Sequence, residues 1–255
     1  MLTGIIVRPF PSTPADLGVA LRADDPAAIT TMLSRCLQRA PGDAIASDEL
    51  WALEVGQRTA WMLRIAARSG ADSLTFRARC DASGCGESAE LELPIDELLA
   101  LESHESSVLT AQLEQRSVAI RRPTGADQLA WVHATFDDLH QATFAVASSL
   151  LLDEGNEVTN DSELKAIEDA LTEHDPLAHF TVSSVCPSCR SQTDHDIDLL
   201  ALSIEWLSVA RARMIETVHA LARSYHWTET DIFAVAPWRR EHYLRLVERD
   251  ERAWR

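Results

Sequence analysis

Two short stretches decide how this chain is read: Cys80-Asp81-Ala82-Ser83-Gly84-Cys85-Gly86 and Cys186-Pro187-Ser188-Cys189-Arg190. Closed structural zinc sites are built from four thiolates, supplied by two tight cysteine pairs on separate turns. The flanking sequence supports turns of that kind. Ser73-Leu74-Thr75-Phe76-Arg77-Ala78-Arg79 precedes the first pair and Ala89-Glu90-Leu91-Glu92-Leu93 follows it. Phe180-Thr181-Val182-Ser183-Ser184-Val185 and Thr193-Asp194-His195-Asp196-Ile197 flank the second. Alternating runs rich in β-branched and aromatic residues mark strands, so each pair is expected at the tip of a hairpin. Gly84 and Gly86 bracket Cys85, where glycine lets the backbone turn tightly and present N–H groups to a sulfur. Together the pairs predict a split zinc ribbon, with one zinc per chain held by Cys80, Cys85, Cys186 and Cys189.

Three other readings of paired cysteines stand beside it. One is a disulfide framework, but the opening Met1-Leu2-Thr3-Gly4-Ile5-Ile6-Val7-Arg8-Pro9 has no basic-then-apolar leader, so a reducing compartment is expected. The second is a ribbon that has lost its metal. The third is a redox Cys-x-x-Cys, which would leave Cys80 and Cys85 unexplained and normally opens a helix. Cys36 lies on an apolar helical pattern and reads as core. Four thiolates leave no open position for water or substrate, so the expected zinc staples structure. His179 and His195 are bystanders to it.

A chain of 255 residues can bury a full core. No apolar run approaches the roughly 20 residues a membrane helix needs. The formal net charge of −17 argues against nucleic acid, since a polyanion would be repelled. The charge is uneven. Acids dominate from Asp153 to Asp198, whereas from Arg211 onward arginines roughly balance acids. The acidic stretch reads as a solvated face first and as a docking surface for a basic partner second.

Working outward from the knuckles gives an α+β, mainly helical organisation. Residues 1–45 form an extended and helical segment, with a helix expected from Pro26 to Arg39. Residues 46–95 carry a helix from Asp48 to Arg68 and the first knuckle. Residues 96–178 form a mostly helical insertion with one strand, Arg116 to Arg121, and a helix opened by Thr124 with Asp127 closing a capping box. In it, Leu129, Trp131 and Val132 are expected to pack on the helix bearing Phe144, Val146 and Leu150. A polar loop follows from Glu154 to Asp161, then a helix from Ser162 to Thr172. Residues 179–198 hold the second knuckle. Residues 199–255 read as three helices: Leu199 to Tyr225, a short one capped by Thr228, and a last one opened by Pro237.

No Gly-rich phosphate loop, Gly-x-Ser-x-Gly elbow or His-Glu-x-x-His helix is present, so no enzymatic activity is expected. The tail instead collects Trp227, Trp238, Arg239, Arg240 and Tyr243, residue types enriched at interface hot spots. For Trp227 and Tyr243 the competing reading is a filled joint between helices. Arg239 and Arg240 are expected at an interface with a partner.

Several of these residues also carry a resemblance. Pro123-Thr124-Gly125-Ala126-Asp127-Gln128-Leu129, Asp175-Pro176-Leu177, Cys186-Pro187-Ser188-Cys189, Trp206, and the tail Val218-His219-Ala220-Leu221-Ala222, Tyr225, Trp227, Glu229, Ile232, Trp238-Arg239-Arg240 and Tyr243-Leu244 resemble a baseplate protein family of contractile-tailed phages and phage-tail-like contractile injection systems. The resemblance spans roughly residues 45–250 and is most specific in the tail. The first knuckle here has four residues between its cysteines, where many zinc ribbons have two. The resemblance implies a baseplate or hub component, or an assembly factor, acting through contacts with other baseplate, hub or tail proteins in a hetero-oligomeric assembly. It also implies a place in the bacterial host cytoplasm or in the tail particle, and it carries over no catalytic residues. A cytosolic zinc-ribbon adaptor or chaperone unrelated to phage is the reading from another class.

Overall fold

The structure, a computed structural model, describes residue 2 and residues 4–103, 107–113, 116–153 and 157–253. Of the expected polar loop Glu154–Asp161, residues 154–156 lie outside the described residues.

The chain opens with β1 (Ile6–Val7), a 3-10 turn (Pro14–Gly18) and α1 (Pro26–Cys36), followed by β2 (Leu37–Ala40) and β3 (Asp43–Ala44). Asp25 caps α1 by accepting from the N–H groups of Ala27 and Ala28. The helix expected to reach Arg39 stops at Cys36, because Leu37 and Gln38 pair with Val7 and Ile6 instead. α2 (Ser47–Trp51) and α3 (Val55–Arg68) replace the single helix expected from Asp48 to Arg68. The break falls at Glu54, which sits in extended backbone as the N-cap of α3 and bridges Thr124. There the Val55 N–H donates to the Pro123 carbonyl and the Gly125 N–H to the Leu53 carbonyl.

β4 (Ser73–Arg79) and β5 (Ser88–Pro94) form an antiparallel hairpin, and α4 (Ile95–Ala100) leads away from it. The insertion begins with a hairpin of its own, β6 (Val108–Gln112) and β7 (Ser117–Arg121), of which only the second strand is foreseen by the sequence. Then come α5 (Gly125–His133), α6 (Leu139–Ser148) and α7 (Asp161–His174). The Thr124–Asp127 capping box forms as expected. Trp131 and Phe144 each pack against the second core, while Val132 is exposed. β8 (Phe180–Val185) and β9 (Gln192–Ile197) make a further hairpin. The chain ends in α8 (Leu199–Tyr225), α9 (Glu229–Ala234) and α10 (Pro237–Ala253). His226, in the left-handed region at φ 57°, ends α8 by donating to the Ala222 carbonyl.

The fold is thus α+β, with small antiparallel sheets among many helices, and it is organised around three apolar cores. The main core joins α1, α2, α3, the bases of the two cysteine-bearing hairpins, α4 and the first half of α8, with Met32, Leu33, Leu50, Met62, Leu63 and Leu207 fully buried. The second core lies within the insertion, between β6, β7 and α7. The third gathers Val218 and Leu221 of α8, Ile232 of α9 and Val247 of α10. By anchoring the bases of both cysteine hairpins, the main core aims their tips at each other.

Candidate metal centre

Each knuckle is shaped by its own backbone. In the first, the Cys80 N–H donates to the Glu87 carbonyl and the Cys85 N–H to the Ala82 carbonyl. In the second, the Cys186 N–H donates to the Ser191 carbonyl and the Arg190 N–H back to Cys186. The residue after the second cysteine of each pair is left-handed, Gly86 at φ 64° and Arg190 at φ 65°. Glycine takes that conformation freely. Arginine carries a steric cost there, which the rest of the turn has to offset. Backbone N–H groups two residues along donate to the sulfurs: Ala82 to Cys80, Glu87 to Cys85 and Ser191 to Cys189.

The two tips meet. All four Sγ atoms lie within 4.8 Å of one another. Cys80 Sγ is 3.6 Å from Cys189 Sγ, and Cys85 Sγ is 3.7 Å from Cys186 Sγ, so the short edges run between hairpins. Those separations are too long for disulfides, which need about 2.05 Å. A tetrahedral ion bound at 2.3 Å sets its sulfurs about 3.8 Å apart, and these edges fit that figure. Cys80 and Cys186 are buried, Cys85 half-buried and Cys189 exposed at the rim. The donor set, four soft sulfurs with N–H groups turned toward them, suits zinc and other thiophilic ions.

The pKa values of Cys80, Cys85 and Cys189 are pushed apart by their surroundings. The Ser191 hydroxyl and N–H, and then the Cys80 thiol, hold Cys189 down at about 6. Cys85 is pushed up to about 12: the Glu87 N–H favours its thiolate, but Cys189, burial and the remaining thiols outweigh that donor. Cys80 is raised in the same way, the Ala82 N–H being outweighed by burial and by Cys189 and Cys186. A dication would remove this mutual penalty, since a coordinating thiol is deprotonated outright.

A side-chain bond also crosses the gap, from the hydroxyl of the buried Thr193 to Asp81 Oδ1 at 2.9 Å. Neither residue is singled out by sequence reasoning. The signal available was their place beside the knuckles, Asp81 directly after Cys80 and Thr193 at the start of the strand run after Cys189. His195 stands apart from the sulfurs, its Nε2 2.9 Å from the Ser184 hydroxyl and its ring against Phe76.

No family model, curated protein or solved structure matches the chain. No helix among the described residues is long and apolar enough to cross a membrane.

The tail residues separate into two kinds. Trp227 and Tyr243 are half-buried and pack with Tyr225, their ring centroids 5.0 to 5.6 Å apart, as part of the third core. Arg240 is buried as well, its guanidinium 3.7 Å from Met214 Sδ and over the Phe233 ring. Trp238 is 69% exposed, and Arg239 is exposed with a hydrogen bond to the Tyr243 hydroxyl. The open surface of the expected partner-binding set therefore comes from Trp238 and Arg239, with Arg240 set behind them.

Proposed function

We propose that this chain is a non-enzymatic component or assembly factor of a contractile tail baseplate, working through protein–protein contacts and stapled by one structural zinc in a split ribbon. The observation that carries the zinc is the convergence of four cysteines from hairpins on either side of the insertion to within 4.8 Å. A closed set of four sulfurs has no vacant coordination position, so the ion's contribution is folding energy rather than chemistry. The baseplate assignment draws on the tail and joint residues that resemble that family, and on an exposed Trp238–Arg239 pair of the kind found at interface centres.

Elemental analysis of protein purified without added metal tests the first claim. One zinc per chain, lost in Cys189→Ser together with folded stability, is the expected result. A metal-free, stable protein with four titratable thiols would refute it. Co-expression with the tube, sheath and spike proteins of a contractile tail tests the second. Retention of the chain in a baseplate complex, or its requirement for one to form, supports the assignment. A monomer that engages one soluble client and no tail protein favours the cytosolic adaptor instead.

A further inference from the structure

A cleft of about 500 Å³ opens between α8 and α10, with the end of α3 and the start of β4 as its floor. Its walls combine the apolar side chains of Leu74, Trp206, Val209, Met214 and Leu244 with polar and charged ones. Arg240 lines it from the first turn of α10. That arginine is 8% exposed, and its closest acceptor is a thioether sulfur, a weak one. Burial pulls its pKa down, and the nearby Glu241 carboxylate offsets only part of that. Arg213 stands exposed at the edge of the same cleft. Among the described residues, no hydrogen bond or ion pair joins either guanidinium to a carboxylate. The other buried arginines among the described residues differ. Arg122 pairs with Glu54, and Arg58 donates to the carbonyls of Leu50 and Pro26 and to the Thr30 hydroxyl.

We propose that this cleft receives an apolar segment of a partner protein carrying one carboxylate, which Arg240 binds with Arg213 at the edge. The inference rests on the reading that the chain works through protein contacts, and it names the chemistry of the contact. Glu205 and Glu241 also line the cleft, so charge alone favours no anion strongly there and the apolar contacts have to supply the rest. An apolar ligand gains from the walls as well, and a buried guanidinium rewards the one carboxylate that reaches it. Local charge permits this, because from Leu199 onward arginines balance acids while the chain's negative excess lies before that point. Trp238, next in sequence to Pro237 of the cleft lining, is 69% exposed.

The test uses the full chain with labelled arginine and tryptophan side chains, titrated with 3-phenylpropionate and with its uncharged amide. The acid is expected to shift the Arg240 and Trp206 resonances saturably and to bind about tenfold more tightly than the amide. Arg240→Gln should abolish the difference. Because that side chain is buried, Arg213→Gln serves as the second variant, keeping the fold and weakening the acid several-fold. Equal response to acid and amide, no response, or indifference to Arg213→Gln in the folded protein would overturn the cleft. Acid-selective binding in a chain that never joins a tail complex would keep the cleft and overturn the assembly reading. Co-assembly without acid-selective binding would do the reverse.

Discussion

Gly125 and Gly56 show how closely the insertion grips the body. A Cβ on Gly125 would run into the guanidinium of the fully buried Arg58, and one on Gly56 into the carboxylate of Asp175. The stretches Pro123 to Leu129 and Asp175 to Leu177 therefore meet the body at a joint on the first turn of α3. Gly125→Ala and Gly56→Ala should each cost about 1–3 kcal/mol through overpacking, measured by urea unfolding. Two buried carboxylates respond to pH in opposite senses. Burial alone would raise Asp16, but the Arg8 guanidinium and the Ser12 and Thr13 N–H groups outweigh it and hold it below the usual carboxylate range. Its folded pKa lies below its unfolded one. Its stabilisation is therefore present above about pH 4 and lost as pH falls through the folded value. Asp16→Asn should cost about 2 kcal/mol at pH 7 and much less near pH 2. Asp175 is raised, first by burial, with Arg122 and the Gly56 N–H insufficient to compensate. Its charged form is penalised in the fold above the folded pKa, and the penalty fades as pH falls. Asp175→Asn should be neutral or stabilising at pH 7 in the same unfolding experiment, the opposite sign from Asp16→Asn.

At the scale of elements, what could be read in advance is what local sequence controls. The cysteine hairpins follow from alternation on both sides of a turn, the start of α5 from Thr124 and Asp127, and α8 from its unbroken helical pattern. The misses come from long-range pairing. Leu37 to Ala40 fits a helix continuation by propensity, and only β1 in register beside it makes it a strand. Val108 to Gln112 is a five-residue run with little pattern of its own, and its pairing with β7 defines it. Glu54 leaves the helix because Thr124, far along the chain, bridges it. The candidate site was legible in its four sulfurs. Its supporting bond was not, since the contact of Asp81 with Thr193 exists only once the hairpins meet. Thr193→Val should release metal to a competing chelator about tenfold more readily while the far-ultraviolet circular dichroism stays unchanged.

Across the whole molecule, three cores share one chain and α8 runs between two of them. Leu199, Ile204 and Leu207 belong to the main core, and Val218 and Leu221 to the tail core. Leu221→Ala should cost about 3 kcal/mol. Hydrogen exchange should quicken in α9 and α10 while the protection of α1 and α3 is kept, since the tail core is small and separately assembled. Uniform loss of protection would show that the cores unfold as one.

One residue, Asp198, separates the end of β9 from the start of α8, and its carboxylate accepts from the Ala201 N–H to begin the helix. A strand leaving the sulfur cluster thus passes with almost no slack into a helix of 27 residues, about 40 Å long, that ends beside the aromatic tail. The molecule is in effect a gauge block. Were a partner seated on the tail, it would stand from the hairpins at a span that one continuous helix sets.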